Sequence, residues 1–245
     1  MGDTIEIQTP DGPAEAYLTR PEGAAGAGVL LYIDAIGLRP RIEEMADRIA
    51  SWGYVVLAPN VFHREGRAAD LAPKADLTVA GNREEFMAGG VMDRVRALTP
   101  DRSDPDARLW LDALREQVSG PIGVTGYCMG ARLAVRTAGL FPDDVAAVGG
   151  FHGGGLVTES PASPHLLLGR ARAEFCFGHA DQDRSMPAEA VAALGRALED
   201  AGLAHTNEIY PGAAHGYTMA DTSMYDEAAT ERHFAALEEL FGRVL

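Results

Sequence analysis

Residues 121–130 read PIGVTGYCMG, and they are the most informative segment of the chain. The first half is short and apolar, as in a buried strand, and residues 129–141 that follow carry a helical pattern. Cys128 stands between Gly126 and Gly130 at the junction, which is the pattern of a nucleophile elbow with cysteine in place of serine. Glycine is expected on both sides because a side chain there would collide within so sharp a turn.

Strand and helix patterns alternate on both sides of this elbow. Strands are predicted at residues 28–33, 54–58, 121–125, 145–151, 173–178 and 205–210. Helices are predicted at residues 42–52, 84–98, 105–118, 129–141, 187–201 and 234–244. Such alternation implies an α/β fold with a mostly parallel sheet covered by helices on both faces. Sheets of this kind carry their chemistry at the carboxyl ends of the strands.

Three further segments frame this core. Residues 4–9 and 14–19 alternate polar and apolar side chains around the turn residues 11–13, which predicts an N-terminal antiparallel hairpin. Residues 62–82 are rich in charge, Ala and Pro without a clear period, which indicates a loop or cap where a substrate could be covered. Residues 103–105, Ser-Asp-Pro, predict a helix start with a capping side chain and proline in the first turn.

The composition limits the class of protein. With 245 residues, of which 47% are hydrophobic, we expect a single domain over residues 1–245 with a sizeable core. The 36 acidic and 21 basic residues give a formal net charge of −15, which disfavours nucleic acid and anionic lipid as partners. No apolar run reaches the length of a membrane span, and the first residues lack a secretory pattern. We therefore expect a cytoplasmic protein.

Neither a metal nor an organic cofactor is expected. Cys128 and Cys176 lack the Cys-x-x-Cys spacing of zinc and redox sites. There is no Walker loop, and no G-x-G-x-x-G segment in the first strand–helix turn. Cys176 lies in mid-strand between two phenylalanines, where we expect a small core side chain. The predicted partner is a small-molecule substrate, and the chain is expected to be a monomer or a small homo-oligomer.

For a nucleophile of this type, the expected order along the chain is the nucleophile, then an acid, then the histidine base. Of the 7 histidines, His215 stands between the last predicted strand and the last predicted helix, in the segment YPGAAHGY at 210–217. The glycine on each side lets the imidazole reach the thiol, so we predict His215 as the base. His152 opens a His-Gly-Gly-Gly segment that comes after the nucleophile, unlike a lipase oxyanion motif, and we expect a flexible loop there at the edge of the cleft.

Two aspartates are candidates for the acid. Both follow the strand that ends near Gly178. Counting forward from this glycine selects Asp181, whereas counting back from Pro187, which opens the next helix, selects Asp183. Either carboxylate could orient the imidazole and stabilise its cation, so these residues by themselves leave both aspartates open.

Together these elements resemble the dienelactone hydrolase family of α/β-hydrolases, also called carboxymethylenebutenolidases. The residues that carry the resemblance are GYCMG at 126–130, the Asp183-x-x-x-Pro187 spacing and YPGAAHG at 210–216. The resemblance runs along essentially the whole chain and implies an α/β-hydrolase fold with Cys128, Asp183 and His215 as the triad. The proline register matches Asp183 to the family acid, which leaves Asp181 and Tyr127 as supporting residues.

The resemblance also implies further site residues. The N–H groups of Ala35 and Met129 would form the oxyanion hole. A family glutamate that contacts the resting thiol, and is proposed to help deprotonate it, corresponds to Asp34, which is one methylene shorter. Family members that act on dienelactone hold its carboxylate with arginines, one of them four residues past the histidine, and that position here is Met219. The other falls in the variable stretch that contains Arg64, Arg67 and Arg83.

The implied activity is hydrolysis of a small ester or enol lactone through a thioester on Cys128. Two other classes stay open. One is a non-catalytic protein that binds a small molecule on a hydrolase scaffold, which the departures at Asp34 and Met219 would suit. The other keeps the triad but transfers the acyl group to an acceptor other than water.

Overall fold

The computed structural model describes residues 2–23 and 25–245. Its strands are β1 (Asp3–Thr9), β2 (Gly12–Thr19), β3 (Gly28–Tyr32), β4 (Val55–Pro59), β5 (Ile122–Tyr127), β6 (Val145–Phe151), β7 (Glu174–Ala180) and β8 (His205–Tyr210). They form one sheet in the order β1-β2-β4-β3-β5-β6-β7-β8. The strands from β4 to β8 in this order are parallel, and the hairpin of β1 and β2 joins them antiparallel at β4. The predicted mostly parallel sheet with an N-terminal hairpin is confirmed.

The helices follow the alternation that the sequence predicted. They are α1 (Pro40–Ala50), α2 (Ala68–Leu71), α3 (Asn82–Phe86), α4 (Met92–Ala97), α5 (Pro100–Arg115), α6 (Met129–Leu140), α7 (Ala188–Asp200) and α8 (Glu227–Val244). A 3₁₀ helix at Pro164–Arg170 was not predicted. Among the residues that the structure describes, no helix is both long and apolar enough to cross a membrane.

Glycines in the sheet show that helices cover both of its faces. A Cβ on Gly28 would lie 3.0 Å from Leu114 of α5. A Cβ on Gly123 would lie 2.8 Å from Phe241 of α8, and Gly123 pairs with Val29, the residue after Gly28. Successive residues of a strand point to opposite faces, so α5 and α8 pack on opposite sides of the sheet.

Three predicted helices begin or continue differently from the prediction. The last helix, predicted at 234–244, already begins at Glu227. The helix predicted to start at residues 103–105 starts instead at Pro100, and Pro105 lies inside it. Thr99-Pro100 offers the same proline signal one turn earlier, and Asp106 is held by two hydrogen bonds from Arg64, of 2.6 and 2.9 Å. This tertiary ion pair stabilises the first turns despite the missing proline N–H.

The helix predicted at 84–98 is interrupted. A π-helical turn, Met87–Val91, separates α3 from α4, and Gly90 has φ of 98°. Glycine adopts this backbone conformation without steric cost, so the Gly89-Gly90 pair bends the segment here. The predicted cover of the site, residues 62–82, contains α2, and α3 and α4 directly follow it. We call residues 62–99 the cap.

The elbow between β5 and α6 is strained. Cys128 has φ of 55° and ψ of −117°, outside the regions that non-glycine residues normally occupy. A Cβ on Gly126 would overlap the carbonyl of Gly130, and a Cβ on Gly130 would lie 2.5 Å from the carbonyl oxygens of both Tyr32 and Ile33. Backbone packs directly against backbone here, so neither glycine can be replaced without moving a strand or the helix.

We therefore expect Gly130→Ala to lower the free energy of unfolding by about 3 kcal/mol or more, because the new methyl group meets main-chain atoms that cannot rotate away. Urea unfolding followed by circular dichroism measures the change. Gly242→Ala in α8 is the matched control, since a Cβ there meets nothing within 4 Å. It should leave stability unchanged or raise it by up to about 1 kcal/mol. Equal stability of the Gly130→Ala variant and the wild type would contradict this account of the elbow.

Candidate active site

Five loops meet at the carboxyl edge of the sheet. They follow β3, β5, β6, β7 and β8, and they carry Asp34, Cys128, His152, Asp183 and His215 respectively. Parallel strands end at one edge, so residues that are up to 181 positions apart in the chain become neighbours. The structure therefore brings the predicted thiol, carboxylate and imidazole into one place.

A small cavity opens at this edge. Its lining residues are Asp34, Ala35, Ile36, Arg83, Met87, Cys128, His152, His215, Gly216, Met219 and Thr222. The space between them is about 50 Å³, which is on the order of one or two water molecules. Of the described residues 2–23 and 25–245, no three His, Cys, Asp or Glu side chains are grouped as a metal would require.

The imidazole of His215 is bonded to Asp183. The distance from its Nδ1 to Asp183 Oδ2 is 2.5 Å. The other oxygen, Oδ1, accepts hydrogen bonds from the backbone N–H and the hydroxyl of Ser185, at 2.8 and 2.7 Å. Asp181 lies apart and accepts the N–H of Gly212. Of the two aspartates that the residues left open, Asp183 is the one in contact with the imidazole.

The hydrogen bonds also set the charge of this carboxylate. Burial raises the pKa of Asp183, but the hydrogen bond and charge of His215, together with the bonds from Ser185, outweigh burial and lower that pKa to about 2. Asp183 is therefore ionised at neutral pH, and its charge favours the protonated form of the imidazole.

The thiol of Cys128 is partly exposed in the cavity. Burial raises its pKa, but the charge of His215 and a hydrogen bond with that imidazole lower the pKa of Cys128 below its usual value. The pKa of His215 shifts in the opposite direction: burial lowers it, whereas the Cys128 charge and the Asp183 hydrogen bond raise it. These opposite shifts favour a thiolate–imidazolium pair.

His152 lies deeper than the sequence suggested. Its side chain is fully buried, its Nε2 is 2.8 Å from Thr218 Oγ1, and its ring packs edge-to-face on His215 at 5.3 Å. The following glycines are also engaged, with Gly155 N–H donating to Ser185 O at 2.8 Å. The expected flexible loop at the cleft edge is thus a packed segment between the nucleophile and acid loops. Burial and the charge of His215 lower the pKa of His152 well below its usual value, so its imidazole is neutral.

Tyr127 lies outside the cavity and contacts α8. Its side chain is fully buried, and its hydroxyl is 3.3 Å from His233 Nε2. Since His233 Nδ1 donates to the carbonyl of Thr230, Nε2 is the acceptor and the tyrosine is the donor. This side chain therefore anchors the end of β5 to α8 and does not line the cavity.

Asp34 is held by Arg39, a residue that the sequence reasoning missed. Arg39 donates to both Asp34 oxygens, at 2.7 and 3.2 Å, and to Asp221 at 2.5 Å. Asp34 and Arg39 are both buried, and Asp34 also accepts hydrogen bonds from the N–H groups of Ile36 and Gly37. The carboxylate is thus committed to these partners, and its charge raises the pKa of Cys128. The sequence signal for this role was that Arg39, a charged residue, stands directly before Pro40 and after the apolar residues 35–38.

The arginines of the variable stretch have different surroundings. Arg83 lines the cavity. Arg64 pairs with Asp106 and Asp11, and Arg67 pairs with Glu15, away from the cavity. Met219 lines the cavity at the family's arginine position, and its sulfur is 3.4 Å from Arg39. The Arg39 guanidinium thus approaches this position from the start of α1.

Comparisons with known proteins agree with this architecture. A model of the dienelactone hydrolase family matches residues 14–245. A Salmonella typhi protein provisionally named carboxymethylenebutenolidase is 27% identical over 248 aligned positions, which cover 98% of this chain and 86% of that protein. The carboxymethylenebutenolidase of Rhodococcus opacus is 25% identical, with 98% and 92% covered.

Solved structures show the same fold. A Klebsiella pneumoniae protein, provisionally named dienelactone hydrolase, superposes with a TM-score of 0.83 at 20% identity and covers 99% of this chain and 98% of its own. The family match includes the elbow, the acid loop and the histidine loop, and it extends from β2 to the end of α8. The chain therefore belongs to the dienelactone hydrolase family of α/β-hydrolases and is a carboxylic ester hydrolase.

Proposed function

We propose that this hydrolase cleaves a small ester or enol lactone through a thioester on Cys128, with His215 as acid and base and Asp183 as its partner. The observation that carries the proposal is the 2.5 Å bond between His215 Nδ1 and Asp183 Oδ2, on an imidazole that lines the same cavity as the Cys128 thiol. A carboxylate in this position holds the imidazole in orientation and stabilises its cation.

In the first half-reaction, the thiolate sulfur attacks the carbonyl carbon, and the π electrons of the carbonyl move to its oxygen. The N–H groups of Ala35 and Met129 receive this oxyanion. The Ala35 N–H has no acceptor among the residues that the structure describes, and the Met129 N–H faces the Cys128 sulfur. Both N–H groups are thus available to a substrate oxygen.

The oxyanion then reforms the carbonyl, the C–O bond breaks, and the leaving oxygen takes the proton of His215. In the second half-reaction, the neutral imidazole removes a proton from a water molecule while the water oxygen attacks the carbonyl carbon of the thioester. The C–S bond then breaks and the thiolate leaves. A thiolate is itself a good leaving group, so the intermediate formed from an alkyl ester tends to revert. A substrate that expels a stabilised enolate goes forward, which favours an enol lactone.

The size of the cavity restricts the substrate further. About 50 Å³ is open between the lining residues, which is less than a lactone ring needs. Met87 and Arg83 form the cap side of this space, and the Gly89-Gly90 bend lies next to Met87. We infer that the Met87 side chain moves aside when a substrate enters, and that compact substrates are preferred.

Replacement of the thiol tests the nucleophile. Cys128→Ala should lower turnover of activated esters and enol lactones by at least about 10⁴-fold, because no other group can form the acyl-enzyme. Intact-protein mass spectrometry after brief exposure to the substrate should find the acyl group on Cys128 in the wild type. Cys176→Ala is the control, and since that thiol is buried in β7 it should keep full activity. Full activity of Cys128→Ala rules the mechanism out.

The thiolate–imidazolium pair predicts a particular pH dependence. The pKa of Cys128 is lowered and the pKa of His215 is raised. Alkylation of Cys128 by iodoacetamide should therefore stay fast at pH values below the ordinary pKa of a cysteine thiol. In His215→Gln the cation that lowers the pKa of Cys128 is lost, so this pKa should rise and the alkylation rate should fall about 10-fold for each pH unit below it. His205→Gln, at the start of β8, should keep the wild-type profile. Identical profiles for wild type and His215→Gln would show that the pair does not form.

Truncation of Met87 tests the limit on substrate size. Met87→Ala should raise kcat/KM several-fold for esters with a longer acyl chain and leave the acetyl ester unchanged, since a methylene-sized contact is worth about 1–3 kcal/mol in specificity. Met92→Ala is the control because that side chain is exposed on α4. An unchanged ratio between long and short esters would show that Met87 does not limit entry.

A further inference from the structure

Arg94 lies in α4 of the cap, outside the group formed by the thiol, the imidazole and the carboxylate. We propose that Arg94 is a positioning residue that holds the oxyanion loop, residues 34–37, in the conformation that aims the Ala35 N–H at the reacting carbonyl. This inference deepens the proposed function and rests on it, because it takes the Ala35 N–H as an oxyanion donor.

The guanidinium binds the carbonyl side of the loop. One nitrogen of Arg94, Nη2, donates to Ala35 O and Ile36 O, both at 2.8 Å, and Nη1 donates to Leu71 O at 3.3 Å. The carbonyls of Ala35 and Ile36 are successive carbonyls of the oxyanion loop. The two N–H bonds of Nη2 have fixed directions in the guanidinium plane, so this nitrogen can fix the directions of two carbonyls at once, which a freely rotating ammonium does less well.

The amide side of the same loop is held by Asp34. Its Oδ1 accepts the Ile36 N–H at 3.0 Å and the Gly37 N–H at 3.3 Å. The Ala35 carbonyl and the Ile36 amide belong to one peptide group, and the Ile36 carbonyl and Gly37 amide belong to the next. Each peptide is therefore held at both ends, and because a peptide group is planar neither can rotate. The preceding peptide, which carries the Ala35 N–H, is joined to these two through the Ala35 Cα, so holding them limits the positions that this N–H can take.

The surroundings of Arg94 indicate that these carbonyls are its main partners. It is 9% exposed, and no carboxylate lies within salt-bridge distance of it in residues 2–23 and 25–245. Its guanidinium lies 4.9 Å from the ring of Phe62 and 5.8 Å from that of Phe86, which restrict its plane. Burial lowers the pKa of Arg94, and the charge of Asp34 is the largest effect that offsets burial. A buried cation without a direct counter-ion is costly, and the contacts it makes in return are those with the loop.

The position of an oxyanion donor matters strongly for the rate. Loss of one donor costs about 10²–10³-fold in kcat, and a shift of about 1 Å can cost about 10²-fold. Arg94 belongs to the cap and the loop belongs to the sheet edge, so the contact also ties the position of the cap to the geometry of the reaction. Met87 and Arg83 lie before the Gly89-Gly90 bend, and Arg94 lies after it.

The test compares two reactions of the same thiol, in a Cys176→Ala background so that only Cys128 reacts. Hydrolysis of an activated ester needs the oxyanion donors, whereas alkylation by iodoacetamide attacks a saturated carbon and does not. In Arg94→Met, kcat for the ester should fall about 10–100-fold with little change in KM. The rate and pH profile of alkylation should stay at the wild-type level.

Arg94→Lys should lie between the wild type and Arg94→Met, because an ammonium keeps the charge but loses the planar, fixed directions of the N–H groups. If Arg94→Met does not fold, Arg94→Lys decides by the same comparison. Arg64→Met is the matched control, since Arg64 is a cap arginine that contacts Asp106 and Asp11 but not the loop. It should keep the wild-type ester turnover.

Wild-type ester turnover in the Arg94 variants overturns the proposal. A parallel loss of ester turnover and of alkylation overturns it as well, because the substitution then disturbs the whole site and not the oxyanion donor. Retention of ester turnover in Cys128→Ala is a different result, which overturns the proposed function itself. The two failures are therefore distinguishable.

Discussion

The whole site depends on the strained backbone of Cys128. Its positive φ costs on the order of 1–3 kcal/mol, and it persists because the flanking glycines pack against main-chain atoms of β3 and of α6 itself. The Cys128 N–H donates to the carbonyl of Phe151 at 3.1 Å, which ties the elbow to β6 as well. With β5 in the middle of the sheet, the thiol comes to face the loops of the strands on both sides.

Charge distribution then determines what this thiol can do. Asp183 and His215 form one side of the site and favour a thiolate, whereas the nearby carboxylate of Asp34 opposes it. Arg39 compensates that carboxylate, and Asp221 in turn partners Arg39. Each of these charges thus has a partner of opposite sign, as burial in a low-dielectric site favours. An uncompensated Asp34 would disfavour the nucleophile.

Asp34 also holds the backbone of the oxyanion loop. Its oxygen binds two amide groups of the loop, and Arg94 of the cap binds the two matching carbonyls. The loop that would receive the oxyanion is thus held before any substrate arrives, which is the arrangement that makes such donors effective. The cap is consequently part of the site and more than a cover over it.

Much of this architecture follows from local features of the sequence. The strands, the elbow and the order of cysteine, acid and histidine were predictable because they depend on periodicity and on spacing within a few residues. The start of α5 was misplaced because Thr99-Pro100 and residues 103–105 carry the same proline signal, and tertiary ion pairs such as Arg64–Asp106 and Arg136–Asp104 favour the longer helix.

Contacts between distant segments were beyond the reach of the sequence alone. Spacing alone left both Asp181 and Asp183 open, and the proline register of the resemblance favoured Asp183. The contact that separates them is the one with a histidine more than 30 residues later. Arg39 meets Asp221 across 182 positions, and Arg94 meets Ile36 across 58. Sequence determined which chemical groups are present and on which strand ends they lie. Tertiary structure alone decided which of them touch, because a long side chain binds whichever partner the folded backbone brings within about 3 Å.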